Sequence, residues 1–131
     1  MNWEKIVSIK SFRTQILLLY IIFMFLNSIV PGFVFSSKSI WQYDKLIHFI
    51  EFFILGFLFI NAVIHTDLNT NKFLISMFIL TLIPVIDEGL QYIFDIPGRV
   101  PEFYDFVFDV MGQYFGAFFS LFIYKMKNKN G

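Results

Sequence analysis

The sequence predicts an all-α integral membrane protein, a four-transmembrane-helix up-down bundle with both termini in the cytoplasm. Three observations carry that expectation. The chain has 131 residues, is 57% hydrophobic and holds 20 Phe, more apolar surface than a soluble domain of this size can hide. Its apolar residues gather into long stretches joined by short polar connections. Its Lys and Arg residues divide unequally between the two alternating sets of connections. One compact helical unit over residues 1–131 fits this length and a second domain does not. The formal net charge is +0 and no basic patch interrupts a polar surface, which argues against nucleic acid as a partner. With Cys 0, disulfides and thiolate metal sites are excluded.

The first span, about Thr14–Val34, is uncharged and follows a basic flank of Lys5, Lys10 and Arg13. No small-residue cleavage site follows it, so it reads as a retained signal-anchor. Pro31-Gly32 breaks it near its end. The second span is about Asp44–Ile64. Its uncharged part, Phe52–Ile64, reaches the roughly 20 residues a crossing needs only by taking in Leu46–Glu51, and with them His48 and Glu51. The third, about Phe73–Phe94, must likewise include Asp87 and Glu88, and the fourth, about Asp105–Tyr124, contains Asp109. A charge at mid-bilayer costs roughly 2.5–3.5 kcal/mol even on lenient scales, so repeated acceptance of that cost marks groups with a use. The connections Phe35–Tyr43, His65–Lys72 and Asp95–Tyr104 are short, which favours antiparallel neighbours.

Alternation places both tails and the middle connection on one side. That side holds Lys5, Lys10, Arg13, Lys72, Lys125, Lys127 and Lys129; the other holds only Lys38, Lys45 and Arg99. The positive-inside rule then makes the first side cytoplasmic. Alternation also gathers Asp44, His48, Glu51, Asp87, Glu88, Gln91, Asp105 and Asp109 at the other end, in the outer leaflet, beneath the loop bearing Arg99.

Helical spacing organises these residues further. Asp44, His48 and Glu51 fall within an arc of roughly 60°, with Glu51 roughly 10 Å below Asp44, which favours a face for proton handling or ligand binding over one in which His48 and Glu51 only pair with a neighbouring helix. Asp87 and Gln91 share a face, whereas Glu88 is rotated about 100° away. Pro84 introduces a kink before this acidic pair, and Gly89 offers local freedom or a close helix contact. The adjacent carboxylates repel unless one is protonated or both meet a cation, for which Arg99 is the natural partner. The stiff turn Pro97-Gly98-Arg99-Val100-Pro101 holds that guanidinium over the mouth, ready for a phosphate or for an internal carboxylate. Asp105, Asp109, Gly112 and Gly116 again share an arc of about 60°; the glycines match the small-xxx-small pattern of close helix packing. Phe residues serve as lipid-facing or packing surface, and Trp3, Trp41 and Tyr43 as interfacial anchors. His65 reads as a solvated loop residue, and Lys125, Lys127 and Lys129 fix topology or touch anionic lipid.

Asp44-Lys45-x-x-His48-Phe49-x-x-Phe52, then Gly56, Asp87-Glu88-x-x-Gln91, Pro97-Gly98-Arg99, Asp105, Gly112 and Gly116 form an ordered set over roughly residues 44–116. In that order they resemble the VanZ-like family of small bacterial membrane proteins. The stretch between Gln91 and Arg99 is about two residues longer than usual in the family, and Asp109 stands where Asn is common. The resemblance implies a multi-pass protein of the bacterial cytoplasmic (inner) membrane and a cell-envelope context. The family's namesake is associated with resistance to teicoplanin, a lipoglycopeptide antibiotic.

The leading expectation is a binding module: a polar outer-leaflet site built from Asp44, Lys45, His48, Glu51, Asp87, Glu88, Gln91, Arg99, Asp105 and Asp109. It would hold an amphipathic envelope molecule, such as a lipid-linked precursor or a lipoglycopeptide, beside membrane lipid. The alternative is a membrane-embedded enzyme acting on a lipid head group through His48 and carboxylates. No Ser–His–Asp motif is present and His48 is the one well-placed His, so a His-rich zinc site is excluded. A carboxylate-rich site retains the donors for magnesium or manganese, although the sequence specifies no metal and no cofactor. A proton-coupled transporter ranks lower, since the cytoplasmic half has no matching acidic relay and four spans would need an oligomer. A structural subunit using the same ion pairs is the remaining reading.

Overall fold

The helices extend past the apolar stretches that announce them. The computed structural model describes residues 3–29, 41–63, 69–95 and 102–129. These form α1 (Trp3–Ile29), α2 (Trp41–Val63), α3 (Thr70–Phe94) and α4 (Phe103–Lys129), with no strand among the described residues. The shortest, α2, has 23 residues and is roughly 35 Å long, enough to cross a hydrocarbon core of roughly 30 Å. All four helices are long and apolar enough to span a membrane. α1 begins well before Thr14 and α4 runs beyond Tyr124 because helical hydrogen bonding is local and continues into the polar ends, which hydropathy does not register. The end expected for the first span, at Val34, and Pro31-Gly32 lie outside the described residues.

Local chemistry sets the remaining ends. Asn69, with extended backbone, caps α3 by accepting a hydrogen bond from the Lys72 amide at 2.9 Å. α3 closes on Asp95 in the left-handed conformation (φ 44°), ahead of Pro97. The carbonyl of Glu102 receives the amides of Asp105 at 3.0 Å and Phe106 at 3.3 Å, starting α4. Asp105 in the first turn and Lys127 and Lys129 in the last complement the helix dipole. Pro84 is fully buried inside α3, which continues through it as one element.

The tightest partnership joins α2 and α4, which are not consecutive. Lys45 meets Asp105, His48 meets Asp109, and the Phe49, Phe53 and Phe57 rings meet Phe115 and Phe119 in rising order along both helices. The pair is therefore parallel. Alternate spans of an up-down bundle run this way: connection length decides which helices run oppositely, and side-chain volume decides which pack closest. Gly56 lies against the Gln113 carbonyl, Gly112 against that of Phe49 and Gly116 against that of Phe53, so closely that a Cβ at any of these positions would overlap backbone. By contrast a Cβ at Gly89 would meet nothing within 4 Å outside its own stretch of helix, so no close helix contact requires a glycine there.

α3 runs antiparallel to α4, as shown by the contacts Phe73–Phe118 and Thr81–Tyr114 (hydroxyls 2.8 Å apart). α1 packs on the other side of α2. Arg13 Nη1 donates to Asn61 Oδ1 at 2.9 Å, and the Tyr20 hydroxyl donates to the Glu51 carbonyl at 2.9 Å. The core is a narrow column of Phe52, Leu55, Ile60, Leu80 and Ala117, joined by Leu17, Met24, Ala62 and Met77. Leu19, Phe78, Ile93, Phe118 and Phe122 lie among the many large apolar side chains on the outside, the surface a bilayer would cover.

Candidate functional site

The parallel α2–α4 seam carries polar residues upward from its glycines, toward the N-terminal ends of both helices. At the rim, Lys45 Nζ is held between Glu102 Oε2 at 3.2 Å and Asp105 Oδ1 at 2.9 Å. One turn deeper, His48 Nδ1 lies 2.9 Å from Asp109 Oδ1, and Asp109 is 0% exposed. Glu88 arrives from α3. One ligand-type atom each from His48, Glu88 and Asp109 lie within 4.8 Å of one another. A further turn along α4, Gln113 is also 0% exposed.

These residues divide into two electrostatic types. The rim is a satisfied ion-pair network, as expected of charges that close the end of a bundle. The deeper layer is not. Among the described residues, Glu88 Oε2, Asp109 Oδ2 and both polar side-chain atoms of Gln113 are buried with no hydrogen-bond partner. An unmet buried polar group costs about 1–3 kcal/mol, and an unmet charge more. His48 answers only one Asp109 oxygen in that pair.

Asp87 and Glu88 separate around α3 as their rotation requires. The Gln91 side-chain amide donates to Asp87 Oδ2 at 3.5 Å and to the Ser28 hydroxyl of α1 at 3.3 Å. Asn27 of α1 donates to Glu51 Oε1 at 3.3 Å. Glu51, Asp87 and Gln91 thus connect the acidic end to α1, while His48, Glu88 and Asp109 form its centre. Asp44 is in the first turn of α2, but its side chain lies outside the described residues, as do the Trp3 and Trp41 side chains, His65, Arg99 and the turn around Arg99. Gln113, Glu102, Asn27 and Ser28 were missed in the sequence. Gln113 had a usable signal, since it stands four residues after Asp109 and shares its face.

The donor set of one imidazole and two carboxylates can bind a cation, accept hydrogen bonds from hydroxyl or ammonium groups, or move a proton. At the opposite end, α3 and α4 border an open cleft of about 500 Å³ lined by Asn69, Thr70, Phe73, Phe118, Leu121, Phe122 and Lys125. Its walls are largely hydrocarbon, and among the described residues its lining holds no acidic side chain.

The VanZ/LLP1 family model matches residues 1–124, which extends to α1 beyond the motifs over residues 44–116. No curated protein and no solved structure matches the chain significantly.

Proposed function

The chain belongs to the VanZ/LLP1 family, and from that premise we propose that it binds an amphipathic envelope molecule at its acidic end and contributes to teicoplanin-type resistance. In this reading it resides in the bacterial cytoplasmic membrane with both termini in the cytoplasm, and the acidic end belongs to the outer leaflet. The observation that supports it most is the His48–Glu88–Asp109 centre, with His48 and Asp109 buried and Glu88 half-buried, at one end of a bundle whose outside is apolar. Carboxylate oxygens without donors accept hydrogen bonds from sugar hydroxyls, amides or amines, the groups of a lipid-linked precursor or lipoglycopeptide head. The acyl part would lie along the exposed Phe and Leu side chains in the bilayer. Lys45 and Arg99 supply the basic groups for an anionic part of the same head.

Glu88→Gln and Arg99→Ala should each abolish protection against teicoplanin in a susceptible host while membrane insertion stays at wild-type level. Unchanged susceptibility in both variants sinks the proposal. Orientation has a clean test because the chain has Cys 0. A single cysteine introduced at Lys127 should react with an impermeant maleimide only after permeabilisation.

The His48–Asp109 hydrogen bond supports a second reading, an enzyme acting on a lipid head group. Asp109 would orient the imidazole and His48 would transfer a proton. Turnover of a lipid in proteoliposomes, lost in His48→Ala, would favour this reading over binding alone.

A further inference from the structure

We infer that His48, Glu88 and Asp109 form a binding site for a first-row divalent cation, Zn²⁺ or Mn²⁺. This goes beyond the amphiphile reading and stands or falls separately from it.

Geometry and unmet bonding both point there. The three residues come from α2, α3 and α4, so no local sequence pattern assembles them; the fold does. Their ligand-type atoms converge within 4.8 Å. An acidic cluster alone would signify little. Here Asp109 is 0% exposed, and its Oδ2 has no partner among the described residues; Glu88 Oε2 is also buried and without one. Two converging carboxylates that each keep a buried oxygen without a donor leave negative charge of the centre unanswered. A divalent cation neutralises the charge of both carboxylates at once, which a neutral hydrogen-bond donor does not.

The donor types narrow the choice of ion. One imidazole nitrogen with two carboxylate oxygens is borderline in softness, suited to Zn²⁺ or Mn²⁺ more than to the all-oxygen preferences of Ca²⁺ and Mg²⁺. Ligand atoms around such an ion stand about 3–3.4 Å apart when the bonds are about 2.1 Å, so the side chains must draw inward on binding. Gln113, one turn deeper on the face of Asp109, carries an amide with no partner among the described residues and is placed to support a ligand carboxylate or bound water. Three protein ligands leave at least one coordination position for water or for an oxygen of a bound head group.

The test uses the full chain, purified in mild detergent, stripped with chelator and titrated calorimetrically with ZnCl₂ or MnCl₂ alone. Wild type should retain close to one ion per chain after desalting, read by elemental mass spectrometry. Glu88→Gln and Asp109→Asn should each weaken binding at least tenfold, whereas Lys125→Gln, at the other end of the bundle, should not change it. Helical circular dichroism of every variant establishes that it is folded. Should Asp109→Asn fail to fold, Co²⁺ provides an independent readout: its visible absorption in wild type should disappear in Glu88→Gln. The inference is overturned if folded wild type retains no ion, or if the two carboxylate variants bind as wild type does. Arg99 as the resident cation would give that first result, with ion binding appearing only in Arg99→Ala.

Discussion

Two adjoining parts of the same helix pair solve opposite problems. In the glycine seam, α2 and α4 approach until backbone meets backbone, and three absent side chains (Gly56, Gly112 and Gly116) make the contact. Immediately above it, His48, Glu88 and Asp109 crowd charged and polar atoms together and leave some of them unmet. The seam is all complementarity; the cluster is a local cost. The difference teaches that the cluster is held by what lies beneath it. Helices locked by backbone contact cannot easily rotate to release Asp109 or His48 into a more comfortable environment, so the arrangement persists despite its electrostatics.

The comparison can be broken most severely at the seam. Gly112→Leu combined with Gly116→Leu should cost up to about 6 kcal/mol, at the upper end of overpacking effects and comparable with the whole stability of a domain. No cooperative unfolding transition should remain in detergent, and ion binding should vanish with it. His48→Ala strikes the cluster instead. It removes the group facing Asp109 Oδ1 and should destabilise the metal-free protein by about 3 kcal/mol, measured by reversible denaturant titration in mixed micelles. Added Zn²⁺ should recover less stability in this variant than in wild type.

Two smaller changes sharpen the contrast. Gly89→Ala enters open space within a helix and should stabilise by about 0.5–1 kcal/mol, the reverse in sign of any seam glycine substitution. Glu102→Gln touches only the exposed arm of the rim, because Lys45 keeps Asp105. It should cost about 0.5 kcal/mol and less at high salt, read as a small downward shift of Tm.

Much of this organisation is legible in the sequence. Hydropathy finds the helices because the bilayer imposes length and apolarity on each independently. Alternation then brings His48, Glu88 and Asp109 to one end without knowledge of packing. The pairing of α2 with α4 is less visible, since Gly112-x-x-x-Gly116 announces a close contact but does not name the helix that supplies it. Gly56, in α2, is the complementary gap, and its value emerges only when it meets the Gln113 carbonyl. Glu51 and Asp87 look like members of one acidic site by height alone. Their rotation about the helix axes gives them separate contacts: Asn27 of α1 donates to Glu51, whereas Asp87 accepts from Gln91, which also donates to Ser28 of α1. Gln113 shares a face with Asp109 four residues earlier, but an uncharged amide carries no electrostatic mark that separates it from a packing residue.

The pairing of α2 with α4 also imposes a timetable on synthesis. The partner of His48 is 61 positions further along the chain. At translation rates of about 5–20 residues per second, Asp109 is made roughly 3–12 s after His48. During that interval α2 enters or waits beside the bilayer with its glycine groove empty and its histidine without that partner. α3 must be accommodated before α4 can complete the seam. Until then α1, already made and joined to α2 through Arg13–Asn61 and Tyr20–Glu51, is its partner within the chain, and a chain cut short before α4 should be an early substrate for membrane quality control.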